Sequence, residues 1–348
     1  MLPVMRPTLP PVEAFLPRLH QIEESGVFSN YGPQLEELHT RFAKRLNVKP
    51  DQVLVLANAT LAIAGLAQLL DSQHFRVPSW TFAATALSVL QAGKDLTFAD
   101  VDYESHRVKI ECDSGPTIAT LPFGVGLPEA WQNASDFPHI IDGAASLGSV
   151  TDLSDLPTHS SIVFSLHATK YLGVGEGALV VAGDPAIAAQ LKSWSNFGFD
   201  GTRSSVQLGT NAKMSEFQAA VAHAALDHEP NEHRSWGLLR KRARQVEESL
   251  KIGISSLSDN SIAPYWIVNF QSAARREAAE TALRDASIDC RRWWASGCHV
   301  MPALRSCARE GELANTEALA NHTLGLPFFI GMEEDDFDAI SSCLSPVI

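Results

Sequence analysis

Apolar and polar positions follow two different periods along this chain. Val12, Phe15, Leu16, Leu19 and Ile22 recur at helical spacing between Pro10 and Ser25. Ser29-Asn-Tyr-Gly-Pro33 breaks that pattern, and Gln34 to Leu46 resumes it as a second amphipathic helix. Short apolar runs bounded by turn residues then alternate with helical stretches. Strands are expected at Gln52–Ala57, Phe75–Val77, Asp95–Val101, Thr117–Phe123, His139–Asp142, Ser161–Ser165 and Ala178–Ala182. Helices are expected at Leu61–Leu70, through Ala84 to Ala92, and at Ala186–Trp194. This alternation predicts an α/β fold whose large domain has a mostly parallel sheet sandwiched by helices.

The pattern changes towards the C-terminus. A helix is expected to start at Ser215, with Glu216 and Gln218 in its first turn, and others around Glu232 to Leu250. Beyond them lie a strand at Ile262–Phe270, a helix at Ala273–Ser287 and a strand at Cys290–Trp294. Leu324-Gly-Leu-Pro327 precedes an acidic helix start at Glu333–Asp336. The expected division is a large domain over residues 1–235, including the N-terminal helical segment, and a smaller α+β domain over 236–348.

Composition narrows the function classes. The chain has 348 residues, 45% hydrophobic and 19% charged, an ordinary globular balance. A net charge of −13 argues against nonspecific nucleic-acid binding and against an anionic membrane surface. No apolar run approaches the roughly 18 residues that would span a bilayer. The prolines among the first eleven residues replace the apolar core of a signal peptide, so a cytoplasmic protein is expected. The five cysteines (112, 290, 298, 307 and 343) read as reduced thiols. Cys290, Cys298, His299 and Cys307 lack the close cysteine pairs of a structural zinc site, so no metal is expected.

The candidate chemistry gathers in three places. Lys170 lies in a polar knot between two apolar runs, followed by glycines at 173, 175 and 177. Asp142 closes a buried run and is followed by small residues, at the strand edge where parallel sheets bind ligands. Asn58-Ala-Thr60 joins a strand to a helix, and a helix N-terminus offers free N–H groups to a phosphate. Each has a plainer reading: a surface lysine, a turn aspartate and an ordinary helix cap.

Five segments in register resemble the DegT/DnrJ/EryC1/StrS aminotransferases, which are pyridoxal-phosphate (PLP) enzymes of fold type I. They are Asn58-Ala-Thr60, Pro78-Ser-Trp-Thr-Phe-Ala-Ala-Thr85, Asp142, Ser165-Leu-His-Ala-Thr-Lys170 with Gly175-Glu-Gly-Ala178, and Thr210-Asn-Ala-Lys-Met-Ser215. The resemblance runs from about Ser29 to the C-terminus. It implies that Lys170 holds the cofactor aldehyde and shuttles a proton, that Asp142 pairs with the pyridine nitrogen, and that Phe82 stacks on the ring. It also implies a phosphate cradle from Asn58, Ala59, Thr60 and Ser165, with Asn211 reaching the phosphate of a neighbouring subunit in a homodimer with shared sites. Tyr31, Gly32, His167 and Arg291 are candidates for contacting substrate. Where the family places Gln or His against the ring hydroxyl, this chain has Ala145, so another group does that work or the site is retuned.

The implied reaction moves an amino group from glutamate or glutamine to a keto-sugar, plausible as a nucleotide-linked keto-deoxysugar of amino-sugar, surface-polysaccharide or secondary-metabolite biosynthesis. The alternatives are a non-catalytic or regulatory homologue and a PLP-dependent sugar dehydratase. The dehydratases of this family replace the lysine with His, which Lys170 disfavours. A dinucleotide-dependent oxidoreductase is disfavoured because glycines 173, 175 and 177 are wrongly spaced and run into a strand.

Overall fold

Strands β1 (Val53–Leu56), β7 (Ala178–Ala182), β6 (Ser161–Ser165), β5 (Ile140–Asp142) and β4 (Ile118–Thr120) lie side by side in that order. The computed structural model describes residues 1–110, 115–129, 131, 137–254 and 261–348, so Cys112 lies outside the described residues. A parallel bridge between Arg76 and Thr117 continues this sheet into β2 (His74–Pro78), which pairs in parallel with β3 (Asp95–Ala99). Pairs β4–β5 and β5–β6 are parallel, whereas β7 runs antiparallel to both β6 and β1. The carboxyl ends of β1, β2, β4, β5 and β6 therefore share one edge, and the connection from β6 into β7 turns back across it.

Helices cover the sheet because its residues are apolar on both faces. Ile162, Val163 and Phe164 are fully buried, as are Leu179, Val180 and Val181. Burial of side chains of this size is worth roughly 1.5–3 kcal/mol each, so this pair of strands anchors the core. Helices α3 (Ala59–Leu69), α4 (Ala83–Gln91) and α5 (Pro185–Trp194) pack on the strands they connect. At Gly65 of α3, a Cβ would come within 2.5 Å of Leu191 in α5, so the two helices approach closer than any other residue there allows.

Helices α1 (Val12–Ser25) and α2 (Pro33–Leu46) pack against the start of α6 (Glu216–Leu250). The fully buried Glu216 carboxylate accepts from the backbone N–H groups of Gln34 (2.7 Å) and Leu35 (3.4 Å), capping α2 from another helix. Ser215 and Gln218 form the reciprocal capping box expected at this helix start. The helices expected around residues 232–250 are the second half of this single 35-residue helix, which contains Pro230. The anticipated boundary between residues 235 and 236 falls inside it, so a helix rather than a linker joins the two sheets.

The second sheet comprises β8 (Gly253–Ile254), β9 (Trp266–Asn269) and β11 (Thr323–Leu326), antiparallel throughout. Helices α7 (Ala273–Asp285), α8 (Ala314–His322) and α9 (Glu334–Leu344) accompany it. The chain's first residues join this end: Leu2 pairs with the backbone of Ser287 and Asp289, and Phe328 N–H donates to Val4. Among the remaining described residues, β10 (Ala308–Arg309) adds to the free edge of β3.

The strand expected at Cys290–Trp294 does not form. Arg291 makes one bridge to Gly325, after which the chain turns. The two indoles account for this. Trp293 folds over Gly325, where a Cβ would overlap the indole, while Trp294 stacks on Phe123 with centroids 4.1 Å apart. The strand expected at Thr117–Phe123 is cut short for a related reason: Phe123 and Gly124 both have positive φ (52° and 88°) and turn the chain out of the sheet.

His39 shows how burial selects a protonation state. Its Nε2 accepts from the N–H of Val55 at 3.1 Å, which only the unprotonated nitrogen can do. Burial, with a smaller contribution from Lys192, pushes its pKa down to about 4. The unfolded chain binds the extra proton first, so the contribution of His39 is complete above the ordinary histidine range and is lost as pH falls towards 4. The stability gap between wild type and His39→Gln is therefore expected to narrow by about 1.4 kcal/mol per unit as pH falls from roughly 6.5. Denaturant unfolding at pH 7, 6 and 5 checks this, and parallel curves would refute it.

Candidate active site

The edge where the parallel strands end carries a cavity of about 460 Å³. Asn58, Ala59, Thr60, Phe82, Asp142, Ala145, Ser165, His167, Lys170 and Arg291, all anticipated as site residues, line it. The fold explains this convergence. Asn58 follows β1, Phe82 follows β2, Asp142 ends β5, and Ser165 ends β6 just before the Lys170 turn.

The Lys170 loop is a tight backbone structure. Ala168 N–H donates to Gly175 O at 2.8 Å, and Leu166 N–H donates to Gly177 O at 2.9 Å. Gly175 has φ of +101°, a conformation closed to residues with a Cβ, and at Gly177 a Cβ would meet Met214 at 2.5 Å. The glycine spacing thus serves the hairpin that holds the lysine. Lys170 is half-buried, and its Nζ donates to the hydroxyl of Tyr265 at 2.7 Å.

Asp142 sits at the floor. Its Oδ2 accepts from Thr85 Oγ1 at 2.6 Å and its Oδ1 from Ala144 N–H at 3.1 Å. Thr85 is itself bonded to Thr81, and Thr81 to Thr120, so a chain of buried hydroxyls supports the carboxylate. Burial pushes its pKa up, while Thr85, Ala144 and the Lys170 charge pull it down. No ion pair engages Asp142 among the described residues. A desolvated carboxylate of this kind facing a cavity suits a cationic group such as a protonated pyridine nitrogen.

The walls fit the rest of a flat, phosphorylated ring. Phe82 is 65% exposed and lines the cavity, whereas a core phenylalanine would be covered. Asn58 Oδ1 caps α3 by accepting from Leu61 N–H at 2.9 Å, and the first turn of α3 opens on the cavity through Ala59 and Thr60. Ser165 Oγ accepts from His167 N–H at 3.2 Å. The chemistry of these residues suits pyridoxal phosphate: a helix start for a phosphate, an aromatic face for a ring, a carboxylate for a protonated ring nitrogen and an amine for an aldehyde.

At the rim, His167 Nδ1 is 2.9 Å from Thr169 Oγ1, and its Nε2 lies 3.8 Å from Glu176. Arg291 extends over the Trp293 ring, 4.8 Å from its centroid. Arg292 instead staples the backbone, donating to the carbonyls of Ala295 and Ala320.

Three anticipated residues lie outside this cavity. The Tyr31 hydroxyl is bonded to Ser195 under the Lys192 ammonium, and burial pushes its pKa up to about 12. Gly32 is a packing residue: a Cβ would meet Val27 at 2.5 Å and the Glu216 carboxyl at 2.9 Å. Asn211 is exposed and bridges to Asn196. Conversely, Thr81, Thr120, Phe123, Tyr265, Trp293 and Trp294 line the cavity unannounced. For the two tryptophans, the one available signal was their place directly after Arg291 and Arg292; Tyr265 carried none. Among the described residues, no group of three or more His, Cys, Asp or Glu comes together to hold a metal.

Known proteins share this arrangement of the chain. The DegT/DnrJ/EryC1/StrS aminotransferase family matches over residues 12–112 and 129–345. Protein Rv3402c of Mycobacterium tuberculosis is 29% identical over 96% of this chain and 87% of its own length. The dTDP-3-amino-3,4,6-trideoxy-alpha-D-glucose transaminase of Streptomyces venezuelae is 30% identical over 85% of this chain and 82% of its own. Among solved structures, DesI in the presence of its TDP-sugar product superposes with a TM-score of 0.82 at 26% identity, covering 99% of this chain and 93% of that one.

The electrostatics of Asp142 predict opposite effects on stability and on function. Asp142→Asn removes a buried charge whose burial outweighs the pull of the Lys170 charge and which makes no ion pair among the described residues, so the cofactor-free protein is expected to melt at a higher temperature than wild type. Turnover is expected to fall by about a hundredfold or more if Asp142 is the carboxylate that faces the ring nitrogen. Thermal unfolding without cofactor and steady-state rates with it test the pair. A destabilised cofactor-free variant would show that Asp142 is a structural carboxylate.

Proposed function

The chain belongs to the DegT/DnrJ/EryC1/StrS aminotransferase family, and from that premise we propose that it transfers an amino group from glutamate or glutamine to a nucleotide-linked keto-sugar. The enzyme is a PLP-dependent aminotransferase. The observation that carries the site assignment is one cavity holding the Lys170 amine, the unpaired Asp142 carboxylate, the exposed face of Phe82 and the start of α3. The named activity of the Streptomyces venezuelae relative supports the nucleotide-sugar acceptor.

Pyridoxal phosphate, when bound, supplies an aldehyde that takes up the amino group and a ring that draws electrons from the neighbouring carbon. The rest of the work falls to this chain. Lys170 Nζ would hold the cofactor's aldehyde and, as a free amine, would take up and return the proton at the substrate α-carbon. Asp142 keeps the ring nitrogen protonated. Phe82 covers the ring and excludes water, and Asn58, Ala59, Thr60 and Ser165 hold the phosphate. His167 and Arg291, both at the rim, contact the substrates, and Arg291 offers a planar donor fork to a carboxylate or phosphate.

We further assign a homodimer. Leu208 is 81% exposed and Val206 61%, close in sequence to the exposed Asn211, and the half-exposed Phe28 and Phe217 stack on each other. Apolar surface of this kind is the usual mark of a contact between copies. Asn211 would lie there, reaching the neighbouring site. Among the described residues no helix is long and apolar enough to cross a membrane. Cys290, Cys298, Cys307 and Cys343 are free thiols, which fits a reducing cytoplasm. The partners on this reading are small molecules and a second copy of the chain.

Two measurements test the reading. The purified protein with pyridoxal phosphate is expected to be yellow, to lose that band on addition of L-glutamate or L-glutamine, and to show neither behaviour as Lys170→Ala. A colourless protein that takes up no cofactor would leave a non-catalytic homologue. Light scattering is expected to give a dimer, with Leu208→Glu shifted towards monomer, and a monomeric wild type would remove the shared-site assignment.

A further inference from the structure

Among the polar groups lining the cavity, one hydroxyl bonds the Lys170 amine itself. Thr120 is bonded to Thr81, Ser165 accepts from His167, and Asn58 caps α3. Tyr265 is 6% exposed, and its hydroxyl reaches the cavity, where it accepts from Lys170 Nζ at 2.7 Å. Its ring is fixed by edge contacts to Trp293 (centroids 5.3 Å apart) and Phe123 (5.9 Å). Its backbone carbonyl accepts from the buried guanidinium of Arg240. A tyrosine hydroxyl so rigidly delivered to the reacting amine is placed for a task at that amine's bonding partner.

Pyridoxal phosphate carries its ring hydroxyl on the carbon adjacent to the one bearing the aldehyde. A donor within hydrogen-bond distance of the amine that takes the aldehyde is therefore also within reach of that oxygen. Ala145, where the resemblance places the family's ring-hydroxyl contact, ends in a methyl group and cannot serve it. We propose that Tyr265, from the segment entering β9, is the hydrogen-bond partner of the cofactor's ring hydroxyl in this chain, replacing residue 145. This rests on the assignment of the cavity to pyridoxal phosphate. It makes the tuning of the cofactor depend on a residue of the C-terminal sheet's approach rather than on the loop after Asp142.

The test is a binding cycle that needs no turnover. Cofactor-free wild type, Tyr265→Phe and the double variant Tyr265→Phe/Ala145→Gln are titrated with pyridoxal phosphate and with its 3-deoxy analogue. Quenching of tryptophan fluorescence reports occupancy, since Trp293 and Trp294 line the cavity. Wild type is expected to prefer the natural cofactor by about tenfold, and Tyr265→Phe by about threefold or less. The Phe side chain keeps the contacts with Trp293 and Phe123, so a role in packing alone would leave the preference intact. Recovery of the preference in the double variant would show that a donor at either position serves the same oxygen. An equal preference in wild type and Tyr265→Phe overturns the assignment of Tyr265 alone. A wild type that binds neither compound overturns the cofactor reading and this proposal with it.

Discussion

A carboxylate almost wholly buried at the end of a strand constrains everything built around it. Asp142 cannot be desolvated cheaply, and the chain compensates with two hydrogen bonds, from Thr85 and from Ala144 N–H, rather than with a counter-ion. Thr85 is in turn held by Thr81, which also meets Thr120. Helix α4, the turn after β2 and the end of β4 are thus recruited to keep one side chain oriented. The remaining electrostatic deficit is left facing the cavity, where a cationic ring nitrogen would complete it. The protein stores that imbalance in its free form and relieves it on binding.

Lys170 answers Asp142 from the other side of the same edge, and β7 makes that possible. In an all-parallel sheet the chain leaving β6 would cross to a helix. Here it turns straight back, antiparallel, and the return passes over the strand ends. The lysine therefore sits on a short hairpin pinned by the backbone bonds of Leu166, Ala168 and Val174. Such a loop holds its amine more firmly than a long connection would.

The local elements were legible in the sequence because apolar runs and glycine boundaries report burial directly. The strands carrying Asp142 and Ser165, the cap at Asn58 and the helix start at Ser215 all stand where the pattern puts them. That Lys170, Asp142 and Phe82 line one cavity follows for a different reason: they were picked out by short motifs in register, not by periodicity. What escaped are residues whose role depends on distant partners. Tyr265 meets Lys170 across 95 positions, and Thr85 meets Asp142 across 57. Nothing local distinguishes them from core residues. Trp293 and Trp294 read as strand residues because aromatic side chains favour strands, yet Gly325 and Phe123 claim one indole each. Tyr31 and Gly32 sit in a turn that resembled a site, and the Ser195 and Glu216 side chains turn it into packing.

Helix α6 touches both shores of the cavity. Near its start Gln218 donates to the carbonyl of Glu176, in the lysine hairpin, and 22 residues later Arg240 grips the carbonyl of Tyr265. At about 1.5 Å per residue those two tethers are separated by roughly 33 Å of rod. Pro230 lies between them and offers no N–H to the turn before it, so the rod has one missing rung. Bending is cheapest there. The helix is then a jointed strut: a change in angle between the two shores can be taken up at the proline while both grips stay closed.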